Sequence, residues 1–222
     1  AWSLVKDILQ SIAAKLDDGS PCCEWIGPGG AGHYVKMVHN GIEYGDMQLI
    51  AETYSILKRR TGLDNDGLGD VFEQWNRGEL NSFLIEITSR ILHYKEENGN
   101  YLLDHILDVA GQKGTGKWSV IASLDEGDPL TLVSEAVFAR FMSALVEERE
   151  RASKQYPSGR VGDMKTNMPL NNEGIEAVRD ALYAAKLISY AQGFSLMRRA
   201  SDRNGWNLDL GTIAKIWRKG CI

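Results

Sequence analysis

Gly29-Gly30-Ala31-Gly32-His33-Tyr34-Val35-Lys36-Met37-Val38-His39-Asn40-Gly41-Ile42-Glu43-Tyr44-Gly45-Asp46-Met47-Gln48 is the stretch on which the reading of this chain turns. A glycine cluster opens it, and the residue spacing from His33 onward predicts a helix. At about 100° per residue, Lys36, His39, Asn40 and Glu43 share one face, with Lys36 and Glu43 about 10 Å apart along the axis. Val35, Val38, Ile42 and Leu49 fall on another side, at the spacing of a packed face. Gly41 and Gly45 each cost such a helix about 1 kcal/mol against alanine. They make sense where another part of the molecule, or a ligand, approaches the backbone closely. The polar stripe has two readings at this level. It is a solvated face of i,i+3 and i,i+4 pairs, or an acid–base pair over a small polar substrate.

Working outward, residues 33–60 form one long predicted helix, about 42 Å at 1.5 Å per residue. On its N-terminal side, residues 2–16 carry apolar side chains at helical spacing, and Asp17-Asp18-Gly19-Ser20-Pro21 stops them. Residues 22–27 then read as a short strand, with Cys22 and Cys23 filling it as buried side chains rather than metal ligands. On the C-terminal side, helices are expected around Leu68, Val71, Phe72 and Trp75, and from Leu80 to Leu92. Further helices are expected across 101–109, from the Asp128-Pro129 turn to Leu145, across 175–199 and across 210–217. Residues 111–118 read as a loop flanking a helix start, and the charged, glycine- and proline-bearing run 147–172 as a connecting loop. Strand signals after residue 30 are few, so the bulk is expected to be α-helical.

Composition sets bounds on function. With 222 residues, 43% hydrophobic and 25% charged, the chain has the make-up of a globular protein with a sizeable core. A net charge of −5 argues against a general nucleic-acid binder. No apolar run approaches the roughly 18 residues of a membrane span. Three cysteines, Cys22, Cys23 and Cys221, offer no disulfide framework and suit a reducing compartment. His33, His93 and His105 do not cluster with cysteines or carboxylates at zinc-ligand spacing, and no metal is expected. Gly111-Gln112-Lys113-Gly114-Thr115-Gly116 does not match a P-loop and follows a helical pattern rather than a strand.

The run from Gly30 to Gln48 resembles the signature of the 6-phosphogluconate dehydrogenase family. The resemblance continues at Trp75-Asn76, Phe83-Leu84-Ile85-Glu86-Ile87-Thr88 and Gly111-Gln112-Lys113-Gly114-Thr115-Gly116-Lys117-Trp118. It continues again at Glu135-Ala136-Val137-Phe138-Ala139-Arg140, Ser189-Tyr190-Ala191-Gln192-Gly193-Phe194 and Trp217-Arg218-Lys219-Gly220-Cys221-Ile222. It implies a mainly α fold, a helical domain preceded by the last helix and strand of a Rossmann-type α/β domain. Residues 1–30 would close the NADP-binding domain and residues 31–222 would form an incomplete helical C-terminal domain. On this reading the chain is an internal fragment, since no G-x-G-x-x-G turn joins a strand to a helix. As an isolated polypeptide it would lack nucleotide-binding residues and is not expected to turn over substrate.

The resemblance also implies an activity: NADP-dependent oxidative decarboxylation of 6-phosphogluconate to ribulose 5-phosphate, in a cytoplasmic homodimer paired through the helical domain. Lys36 is then the general base and Glu43 the proton donor. His39 and Asn40 hold the substrate near the reacting carbons. Tyr44, Lys113, Thr115 and Arg140 hold its phosphate, and Lys117 is structural. The residue types suit these tasks. A free lysine, with a pKa of about 10.4, needs desolvation or a neighbouring cation to act as a base at neutral pH. An arginine on an otherwise apolar helix needs an anionic partner, and its planar fork fits a phosphate or a helix glutamate. Two other classes stay open: a β-hydroxyacid dehydrogenase for unphosphorylated acids, and a non-catalytic helical interaction module.

Overall fold

The computed structural model describes residues 1–156, 169–219 and 222. Its elements are α1 (Trp2–Ile12), α2 (Ala31–Thr61), α3 (Asn65–Trp75), α4 (Phe83–His93), α5 (Thr115–Glu126), α6 (Thr131–Ala144), α7 (Val146–Gln155), α8 (Asn172–Asn204) and α9 (Leu210–Ile216). The fold is mainly α, as the sequence implied, and among the described residues the only β pairing is two isolated bridges, Lys15↔Pro21 and Lys95↔Tyr101.

The helix ends follow from local chemistry. Asp64, Ser82, Asn171 and Asp209 each accept a backbone N–H bond from three residues on, and so start α3, α4, α8 and α9. Gly62, with φ +75°, closes α2 in the left-handed conformation, just after Lys58, Arg59 and Arg60 have met the negative end of its dipole.

Helix α2 is the centre of the molecule. It packs against α8, α5 and α6, and more lightly against α3 and α4, which pair with each other. Its apolar face enters the main core as the helical period requires: Val35, Val38 and Ile42 are buried in it, and Leu49 packs against the same core. The two glycines of α2 are where neighbouring helices come closest. A Cβ on Gly41 would lie 2.8 Å from Oγ of Ser119 on α5, and one on Gly45 would lie 2.7 Å from Leu132 on α6 and 2.8 Å from Oγ of Ser189 on α8. Between α2 and α8, Lys186 Nζ bonds Asp46 Oδ2 in a buried ion pair. Burial pushes the Asp46 carboxyl up from its ordinary value and the Lys186 charge opposes that shift.

Several expectations need correction. Residues 22–27 form no strand, because among the described residues no neighbouring strand offers them a ladder. Cys22 and Cys23 are half-buried in irregular backbone, not buried in a strand, and Cys221 lies outside the described residues. The first helix ends at Ile12, where Ala13 turns extended. Of the 101–109 helix only a 3-10 turn, Leu102–His105, exists. The front of the 147–172 loop is instead helix α7. Its charged residues are strong helix formers with Glu147 and Glu148 in the first turn and Lys154 in the last. Arg149 ties this helix down by bonding Asp108 Oδ2 at 2.7 Å and the Ser143 carbonyl at 2.9 Å. Residues 157–168 of that expected loop lie outside the described residues.

Candidate active site

The polar stripe of α2 becomes a connected set of side chains. Lys36 Nζ lies 3.2 Å from Nδ1 of His39, and that same nitrogen is 3.2 Å from Oδ1 of Asn40. Glu43 follows one turn later, with Oε2 3.9 Å from His39 Nδ1. His39 is buried, whereas Lys36 is exposed and Glu43 half-buried. Burial pushes the imidazole down from 6.5 to about 4; the Lys36 charge adds to the shift and the Asn40 hydrogen bond opposes it. His39 is therefore neutral near pH 7, and its approach to Glu43 is not an ion pair. The His39 ring meets the indole of Trp217 edge-on, with centroids 5.1 Å apart and planes at 76°. Its buried Nε2 has no hydrogen-bond partner among the described residues.

The second wall of the site comes from the start of α5. Gly114, at φ +100°, turns the chain so that Thr115 opens the helix beside α2. Asn40 Nδ2 donates to Thr115 Oγ1 at 3.1 Å. Ser119 fixes the pairing of the two helices: its one hydroxyl hydrogen is shared between the Met37 carbonyl on α2 at 2.8 Å and the Thr115 carbonyl of its own helix at 3.0 Å.

One turn beyond Asn40, Tyr44 organises a second group. The backbone N–H of Lys113 donates to its hydroxyl at 3.4 Å, and the guanidinium carbon of Arg140 stands 3.6 Å above its ring centroid. Arg140 also donates from Nη1 to the Gly111 carbonyl at 2.8 Å, and Nη2 lies 3.8 Å from Met47 Sδ. Among the described residues no carboxylate pairs with Arg140, so the helix-glutamate alternative for it does not hold. The Lys113 and Lys117 side chains are exposed.

The candidate residues thus fall into two groups joined by α2: Lys36, His39, Asn40 and Glu43 with Thr115 of α5 facing Asn40, and, one turn on, Tyr44 with Arg140 and the Lys113 backbone. Sequence pattern does not single out Ser119, Met47 or the contact of Trp217 with His39. The only signal for Met47 and Trp217 is their place in the motif runs, and Ser119 lies one residue past the run that ends at Trp118. Three or more His, Cys, Asp or Glu side chains do not converge on a metal-sized site among the described residues.

A family model for the 6-phosphogluconate dehydrogenase C-terminal domain matches residues 32–222. The chain belongs to the 6-phosphogluconate dehydrogenase family. It is 55% identical to a decarboxylating 6-phosphogluconate dehydrogenase of Schizosaccharomyces pombe, across 100% of this chain and 44% of that protein. Identity is also 55% to a Saccharomyces cerevisiae relative of the same name, across 100% of this chain and 45% of the relative. Among solved structures, a Plasmodium falciparum 6-phosphogluconate dehydrogenase superposes with a TM-score of 0.92 at 47% identity, covering 100% of this chain and 47% of that one. That protein is described in its apo form, with its cofactor NADP+ and with its substrate 6-phosphogluconate. The chain spans less than half the length of these 6-phosphogluconate dehydrogenases.

Proposed function

We propose that residues 1–222 form part of an enzyme that oxidises and decarboxylates 6-phospho-D-gluconate to D-ribulose 5-phosphate and CO2 with NADP. The observation that carries the reading is the α2 stripe: Lys36 and Glu43 flank a neutral, buried His39 and an Asn40 tethered to Thr115. NADP supplies the hydride acceptor. Among the described residues no strand runs through a glycine-rich turn into a helix, the arrangement that cradles dinucleotide phosphates in Rossmann domains. That task is assigned to a nucleotide-binding domain of which residues 1–30 form the closing piece, residues 31–222 belonging to the helical domain. In support, α1 leaves Leu4, Ile8 and Ile12 more than 60% exposed, an apolar stripe that calls for a cover.

Within this reading, Lys36 takes the proton of the 3-hydroxyl as C3 is oxidised. The amine must be neutral for that, and because Lys36 is exposed in residues 1–222, substrate and coenzyme complete its desolvation. As the C1 carboxylate leaves as CO2, the Lys36 ammonium donates to the former carbonyl oxygen and stabilises its developing charge. Glu43 then delivers a proton to the carbon that carried the carboxylate, C2 of the gluconate and C1 of the enediol. His39 and Asn40 hold the substrate beside these groups. The phosphate takes the exposed Lys113 ammonium, the Arg140 fork and the Tyr44 hydroxyl, with Thr115 at the edge.

Exposed apolar side chains on α5 and α6, among them Trp118 at 54%, Phe138 at 56% and Met142 at 61%, support pairing of two copies through the helical domain. Free Cys22 and Cys23 fit a cytoplasmic setting, and no helix among the described residues is long and apolar enough to cross a membrane. The test uses a polypeptide of the relatives' full length that contains residues 1–222. It should form NADPH and release CO2 with 6-phosphogluconate and strongly prefer it to gluconate. Equal use of unphosphorylated acids would move the protein to the wider β-hydroxyacid dehydrogenases.

A further inference from the structure

Gly116 is buried in the first turn of α5. A Cβ built on it would lie 2.6 Å from Cδ2, 2.8 Å from Cε2 and 3.2 Å from Cγ of Tyr44. The tyrosine ring therefore lies directly on the Gly116 backbone. The backbone geometry does not call for glycine here: Gly114 has a positive φ, but Gly116 is helical. An alanine would favour the helix by about 1 kcal/mol, so what glycine supplies at this position is space.

The ring has little room to retreat. Ala136 and Val137 of α6 pack with it in a small buried cluster. The Arg140 guanidinium rests on its face at 3.6 Å, and the Lys113 N–H reaches its hydroxyl at 3.4 Å. Ordinary contact with an added methyl would move the nearest ring carbon from 2.6 Å out to at least 3.4 Å. Whatever moves the ring moves the surface on which Arg140 lies and the hydroxyl that holds the Lys113 backbone.

We propose that Gly116 is a positioning residue for phosphate recognition: its missing side chain sets the place of Tyr44, and Tyr44 sets the places of Arg140 and of the Lys113 loop. The inference rests on the assignment of Tyr44, Lys113 and Arg140 to the substrate phosphate. It gives Gly116 no contact with substrate and no part in proton transfer.

The experiment compares 6-phosphogluconate with gluconate, using a polypeptide of the relatives' full length that contains residues 1–222. A misplacement of about 1 Å can cost as much as a hundredfold, so Gly116→Ala should raise KM for 6-phosphogluconate about tenfold or more. Its kcat, and KM for gluconate, should stay within about twofold, since the α2 stripe is untouched. On a Tyr44→Leu background Gly116→Ala should add nothing, because the ring it displaces is gone. Equal losses on both substrates, or additive losses in the double variant, would overturn the proposal. Should Gly116→Ala not fold, the same change on a Tyr44→Leu background decides: removing the ring should restore folding, and a double variant that still fails to fold while Tyr44→Leu alone folds would refute the platform role. An unsubstituted enzyme with no preference for the phosphorylated substrate would defeat the phosphate reading itself. A normal preference left unchanged by Gly116→Ala would defeat this inference alone.

Discussion

Asn40 and Thr115 lie 75 positions apart in the chain, and the amide nitrogen of one donates to the hydroxyl of the other at 3.1 Å. This bond joins the stripe on α2 to the loop that supplies Lys113. It commits the Asn40 amide: with Nδ2 turned to Thr115, Oδ1 faces Nδ1 of His39 at 3.2 Å. Thr115→Val keeps the shape and removes the acceptor. We expect a stability loss of about 1 kcal/mol, read as a shift in denaturant midpoint, with a rise in KM and little change in kcat. A fall in kcat at unchanged KM would show that the tether serves the chemical step instead.

Arg140 tests the phosphate end. Its guanidinium is held by Tyr44 and the Gly111 carbonyl without a carboxylate among the described residues, which leaves its charge for an anion. A charged hydrogen bond is worth about 1.5–3 kcal/mol. Arg140→Ala should therefore raise KM for 6-phosphogluconate about tenfold to a hundredfold and leave gluconate nearly unaffected. Equal effects on the two would assign Arg140 to structure.

Much of this arrangement is legible in the sequence. The α2 stripe and its apolar face need only the helical period, and the fold class follows from the scarcity of strand signals. The failures have identifiable causes. Residues 22–27 have strand composition, but a strand also needs a partner, which local pattern does not report. The charge run at 147–155 reads as a loop only while charge is weighed as a loop signal, although Glu, Arg, Lys and Gln are good helix formers. The need of Arg140 for an anion is readable from its apolar helix; its seat on Tyr44 depends on the packing of α6 against α2, which no spacing reveals. The Lys186–Asp46 pair joins positions 140 apart, and nothing local in either stretch announces it.

That pair makes a stability prediction. Lys186→Met would leave the fully buried Asp46 carboxylate without its partner, a change that typically costs about 3–5 kcal/mol. Adding Asp46→Leu removes the stranded charge and should recover much of the loss. A double variant as unstable as the single one, by thermal unfolding, would place the cost in packing rather than charge.

His39 adds a pH dependence. Its folded-state value, pushed down to about 4 from 6.5 by burial and then by Lys36, means that folding favours the neutral ring. Above pH 6.5 the ring is neutral folded or unfolded, and its contribution is fully present. As pH falls from 6.5 toward 4 the unfolded chain takes up the proton first, so this stability is lost, on the order of 3 kcal/mol in all. His39→Gln should flatten the slope of stability against pH in that window. An unchanged slope would show that the imidazole is not held neutral by the fold.

On the proposed mechanism Lys36 moves the proton. The most direct measurement is turnover and substrate affinity of Lys36→Met in a polypeptide of the relatives' full length containing residues 1–222. The base acts mainly in the transition state, so oxidation of 6-phosphogluconate should fall by several orders of magnitude while substrate binding stays within about tenfold. Near-normal turnover in that variant would contradict the account.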